Sequence, residues 1–127
     1  MTRRAFHLGD ILSITTGKLV APRGMDAVYD ILNFMTGESL YTHQLPRAAE
    51  ACKPALIGQH PQLADADASG VGDPTTAHDF LRVQIATFGE FLDVEPLLPN
   101  AYVAMDPLEE LATMVPPHRI TVVKVDA

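Results

Sequence analysis

The feature of this 127-residue chain that most restricts its folding is a short internal echo near the amino end. Asp10-Ile11-Leu12 leads to Thr16-Gly17, and at a constant offset of 20 residues Asp30-Ile31-Leu32 leads to Thr36-Gly37. Each copy ends at glycine, the residue that enters the left-handed conformation past a helix end without steric cost, so each reads as a helix with a defined stop. Two copies are too few for a solenoid, which needs about three units to bury a continuous core. The expectation is a helical hairpin joined by Lys18 to Gly24, with Pro22 in the connection. In the second helix Met25, Val28, Tyr29, Leu32 and Met35 follow one face, and Ala27, Ile31 and Phe34 form a second apolar row. A stripe that wide predicts that this helix is the central one.

Further along, Thr42 is placed to cap a helix whose first turn accepts Pro46, with Pro54 expected to kink or restart it and His60-Pro61 to end it. The stretch 64–74, rich in Ala, Asp and Gly, reads as a loop that divides one globular domain, residues 1–127, into two halves. Asp73 before Pro74 fits the start of a helix running to Gly89, with Thr76 and Asp79 as an alternative cap. Asp106-Pro107-Leu108-Glu109 carries a capping residue, proline at the first helical position and an acid in the first turn. Phe91 to Leu97 and Arg119 to Val125 favour strands, and a third strand is expected from Ala5–Leu8 or Leu98–Ala104. The fold class that follows is α+β: mainly helical, with a two- or three-stranded sheet.

Composition narrows the function classes. The net charge is −7, and the nine Lys and Arg are scattered singly apart from Arg3-Arg4, which disfavours direct nucleic-acid binding. No apolar run approaches the roughly 18 residues of a membrane span, and Asp10 interrupts the only leader-like stretch. The single cysteine, Cys52, rules out an internal disulfide, so the expected compartment is a reducing bacterial cytoplasm. No cofactor fingerprint is present and none is expected.

Three groups of residues carry chemistry. His43, between Thr42 and Gln44 with Arg47 nearby, has the polar company a general acid or base needs, or else serves the helix terminus. Tyr41, His43 and Arg47 are also residue types suited to anchoring an interface, so Tyr41, Thr42, His43, Gln44 and Arg47 form the candidate binding surface. Asp65, Asp67, Ser69 and Asp73 resemble the opening of a calcium loop, but the position that should hold a bidentate Glu is Thr76; they read as a flexible loop, or at most a weak divalent-cation site. Cys52 lacks an adjacent base and reads as core. Asp93, Glu95, Glu109 and Glu110 read as caps and surface charges.

Leu8-Gly9-Asp10 with Thr16-Gly17, then Tyr29 to Leu32, Met35-Thr36-Gly37 and Thr42-His43-Gln44-Leu45-Pro46-Arg47, resembles an uncharacterised family of short proteins from temperate phages and prophages. The resemblance covers roughly the first half of the chain and implies a viral or mobile-element origin without implying an activity. Size, acidity and that origin together suggest an accessory protein that binds a host or phage protein, with an anti-CRISPR-like inhibitor of host defence as one form and self-association as another possibility. The competing expectations are a small hydrolase or transferase using His43, and a cation-binding module using Asp65, Asp67 and Asp73.

Overall fold

A computed structural model describes residues 3–99 and 101–114. In chain order the elements are β1 (Arg4–His7), α1 (Leu8–Thr16), α2 (Met25–Thr36), α3 (Leu45–Gln59), α4 (Pro74–Phe88), β2 (Phe91–Val94) and α5 (Pro107–Met114). Short 3-10 turns at Thr42–Gln44 and Pro61–Asp65 flank α3. The strands pair antiparallel, with Arg4 opposite Val94 and His7 opposite Phe91. This is the mainly helical α+β arrangement expected from the sequence. The Arg119–Val125 strand expectation lies outside the described residues.

The echo is a repeated device for stopping a helix. Gly17 and Gly37 both adopt left-handed φ values, 76° and 74°. The hydroxyl before each glycine donates to the carbonyl four residues back: Thr16 to Leu12 at 2.6 Å and Thr36 to Leu32 at 2.8 Å. Each hydroxyl then accepts the N–H two residues on, from Lys18 and Glu38. Threonine and glycine together therefore close both helix ends without help from elsewhere in the chain.

α1, and not α2, is the central helix. Every residue from Leu8 to Thr15 is buried, whereas α2 leaves Met25 and Asp26 exposed. Two of the buried polar residues of α1 are tied to the connection that follows it. The Ser13 hydroxyl donates to the Gly9 carbonyl at 2.7 Å and accepts the N–H groups of Val20 and Ala21, both at 3.0 Å. Asp10 meets Arg23 at 3.0 Å. The core formed around α1 includes Phe6, Leu8, Ile11, Leu12, Ile31, Leu32, Met35 and Leu56.

Several local expectations change. α3 runs unbroken from Leu45 to Gln59 with Pro54 inside it, because its buried row Ala48, Cys52 and Leu56 holds both sides of the proline against the core. Thr42 opens the 3-10 turn instead of capping α3, since the chain turns once more before Pro46 enters the helix. Asp73, not Thr76 with Asp79, caps α4 by accepting the Thr76 N–H at 2.8 Å. The described residues of 98–104 make no strand; β2 ends at Val94, where the Gln59 side-chain amide bonds both backbone groups of Glu95.

The connection after α1 crosses so close to it that Gly9 has no room for a side chain. A Cβ there would stand 2.9 Å from Pro22 Cδ, 3.0 Å from the Val20 carbonyl oxygen and 3.1 Å from Leu81 Cδ2. Alanine is the better helix former, yet Gly9→Ala should destabilise the fold by about 1–3 kcal/mol, because a backbone oxygen must move to admit the methyl group. Urea unfolding checks this: a midpoint equal to or above wild type would show that the crossing is loose.

Candidate functional site

The site is built where α2 stops. Beyond Gly37 the chain is pinned by the Leu40 N–H, which donates to Asn33 Oδ1 at 2.9 Å, and by Leu40 itself, which is buried. The next four residues close on themselves. The Gln44 N–H donates to the Tyr41 carbonyl, and the Tyr41 N–H donates to Gln44 Oε1, both at 2.9 Å. The Tyr29 and Thr42 hydroxyls are hydrogen-bonded to each other, tying the turn back to α2.

This turn and the first turn of α3 direct the five sequence-predicted residues two ways. Tyr41 and Thr42 are exposed and His43 half-buried, and all three line one open groove. Gln44 and Arg47 face inward and meet Glu110 of α5, which is 1% exposed. Arg47 Nε donates to Glu110 Oε2 at 3.1 Å, Arg47 NH2 to Glu110 Oε1 at 3.0 Å, and Gln44 Nε2 to the same Oε1 at 3.2 Å. Arg47 also donates to the Tyr102 hydroxyl at 3.1 Å and lies 4.4 Å over the Tyr102 ring. Gln44 Nε2 further reaches the Met105 carbonyl at 3.2 Å. The cost of burying this carboxylate is offset because both of its oxygens are matched.

The charges respond as that geometry requires. The Arg47 hydrogen bonds hold the Glu110 carboxyl below the usual glutamate range against the opposing effect of burial. The Glu110 hydrogen bond raises the Arg47 guanidinium in turn. Burial pushes the Tyr102 phenol up, with the neighbouring arginine pulling the other way. Glu110 is therefore a scaffold ion and not the surface charge its place beside Glu109 suggested.

α5 forms the second wall. Asp106 caps it, its Oδ2 accepting the N–H groups of Leu108 at 3.1 Å and Glu109 at 3.4 Å. His43 Nε2 lies 2.7 Å from the Pro107 carbonyl; since a carbonyl only accepts, Nε2 carries the hydrogen. The groove between the walls has a volume of about 570 Å3 and is lined by Tyr41, Thr42, His43, Asp106, Pro107 and Leu108. Tyr41 is 60% exposed and Leu108 76%. The roles of Leu108, Tyr102 and Glu110 escaped the sequence reading because each depends on residues about sixty positions away.

The other candidates stand apart. Asp67 accepts the Ser69 N–H at 2.9 Å, Asp73 caps α4, and Asp65 ends a 3-10 turn with its side chain exposed. Among the described residues no three His, Cys, Asp or Glu side chains stand together in a way that could hold a metal. Cys52 is fully buried and its thiol is pushed up to about 12 by burial, so it holds no thiolate at neutral pH.

Residues 6–66 match the family model described as a domain of unknown function (DUF7736), just under half of the chain. The matched span is the stretch that carries the echo and the Thr42–Arg47 segment, and it is consistent with an uncharacterised family. No curated protein and no solved structure matches the chain. No helix of the described residues is long and apolar enough to cross a membrane.

Glu110→Gln keeps the shape but removes the charge that Arg47 neutralises, and should cost about 2 kcal/mol. That is less than for a fully enclosed pair, because a third of the Arg47 side chain reaches water. With its folded-state pKa lowered, Glu110 contributes stability that is complete above the unfolded carboxylate range and lost as pH falls through the folded value. Wild type should thus lose more stability than Glu110→Gln below about pH 5. Parallel pH profiles of the urea midpoint for the two proteins would disprove the pairing.

Proposed function

We propose that this chain is a non-catalytic accessory protein that acts by binding another protein through the groove between Tyr41 and Leu108. One observation carries the reading: α5 is inverted. It buries a glutamate and turns Leu108 and Leu111 outward, 76% and 39% exposed. Helices of globular proteins ordinarily put the apolar stripe inside. An apolar wall held outward by a buried ion pair, opposite an exposed tyrosine, has the make-up of an interface centre.

The polar residues near the groove support the same reading. His43 spends its Nε2 hydrogen on the Pro107 carbonyl, which orients α5 and does not leave that hydrogen for proton transfer to a substrate. The thiol that might have served as nucleophile is buried and protonated. The resemblance of the first half to short temperate-phage and prophage proteins fits an accessory role, with a host or phage protein as the partner. Blocking a host defence complex in the anti-CRISPR manner is one form such binding takes.

Replacing the two apolar walls tests the proposal. The double variant Tyr41→Ser with Leu108→Ser should retain the fold, because both side chains are exposed, and its melting temperature should stay within about 3 °C of wild type. Affinity capture from bacterial lysate should then recover a stoichiometric partner with wild type and lose it with the variant. Recovery of the same partner by both, or of none by wild type, would overturn the reading.

A further inference from the structure

We propose that the groove receives an arginine side chain of the partner protein; this rests on the binding role argued above and names its chemistry. The walls offer the three things a guanidinium needs. Tyr41 presents an exposed ring for stacking. Asp106 contributes a carboxylate whose two backbone hydrogen bonds both use Oδ2. Leu108 and Pro107 supply an aliphatic surface for the three methylenes of the stem.

The charge balance points the same way. Among the described residues the groove lining holds no lysine or arginine, and Arg47 of the adjoining helix is committed to Glu110 and Tyr102. Glu109, three residues after Asp106, is exposed and adds to the negative charge of this end of α5. The Tyr41 and His43 rings lie nearly parallel, 3° apart in plane with centroids 6.2 Å apart, in a stacked arrangement. A phosphate or carboxylate would meet Asp106 with like charge. A lysine would satisfy the charge but lacks the planar face that stacks on tyrosine. The net charge of −7 also favours encounter with a basic surface.

The test uses the full chain and blocked heptapeptides with a single central arginine, lysine or citrulline. Amide chemical shifts are followed at millimolar peptide. The arginine peptide should shift Tyr41, His43 and Leu108 and bind on the order of tenfold more tightly than the citrulline peptide, which keeps the shape without the charge. Asp106→Asn preserves the helix cap while removing the charge, and should weaken arginine binding by about threefold or more. Tyr41→Leu should weaken it by a similar factor. Equal binding of arginine and citrulline, shifts mapping outside the groove, or an Asp106→Asn protein that binds as wild type would each overturn the arginine assignment. If lysate capture still depends on Tyr41 and Leu108 in those cases, the binding role stands and only the chemistry of its ligand falls.

Discussion

The architecture depends on a buried carboxylate that must find its counter-ion. Asp10 sits in the first turn of the innermost helix, 1% exposed, and Arg23 NH2 reaches its Oδ2 at 3.0 Å. The same nitrogen lies 3.2 Å from Asp30, the equivalent aspartate of the second echo copy. Arg4 of β1 then grips Asp30 with both terminal nitrogens, which holds its carboxyl below the usual range. Two aspartates that look like a repeated surface feature are therefore the two ends of one clamp. Through it β1, α1, the connection and α2 are set in register by charge, and the Phe6–Phe34 contact at 5.4 Å fills the space beneath. Leaving Asp10 without Arg23 would strand a charge in the core, so the connection is obliged to cross α1 where it does.

A second buried carboxylate performs the corresponding task at the other end. The family match covers residues 6–66 and therefore includes Gln44 and Arg47, but Glu110 and Tyr102 lie beyond it. The inward-facing donors of the turn are completed only by the later part of the chain. Likewise Tyr41, Thr42 and His43 make one wall of the groove, and Asp106, Pro107 and Leu108 make the other. The matched half supplies a stable base. The groove proposed as the binding surface is assembled across both halves.

What could be read from the sequence was what local chemistry decides. Helix ends at Gly17 and Gly37, the Asp73 and Asp106 caps, and the strand beginning at Phe91 all follow from residues within a few positions of one another. What could not be read was burial of polar side chains. Ser13 looks like an interruption of an apolar face until its hydroxyl is seen serving three backbone groups. Glu109 and Glu110 are adjacent and chemically alike, yet one is exposed and the other 1% exposed, a difference set by Arg47 across 63 residues. The candidate surface at Tyr41 to Arg47 was legible as a polar corner. Its division into an outward trio and an inward pair was not, because nothing local tells Gln44 from His43.

The inversion of α5 follows from how an eight-residue helix can be held. A helix this short is unstable alone in water and must be fixed by tertiary contacts. Had it docked through its leucines, burial of Leu108 alone would have contributed about 1.5–3 kcal/mol. Instead it is fastened by directional polar bonds: Arg47 and Gln44 to Glu110, and His43 to the Pro107 carbonyl. Apolar packing tolerates sliding, whereas a bidentate arginine–carboxylate pair sets orientation as well as distance. The forfeited burial is thus exchanged for position, and Leu108 and Asp106 are held at a set spacing from Tyr41. A groove whose walls need not reorganise loses less entropy on binding. The same stretch cannot both hide its leucines and present them, and the buried glutamate decides which of the two it does.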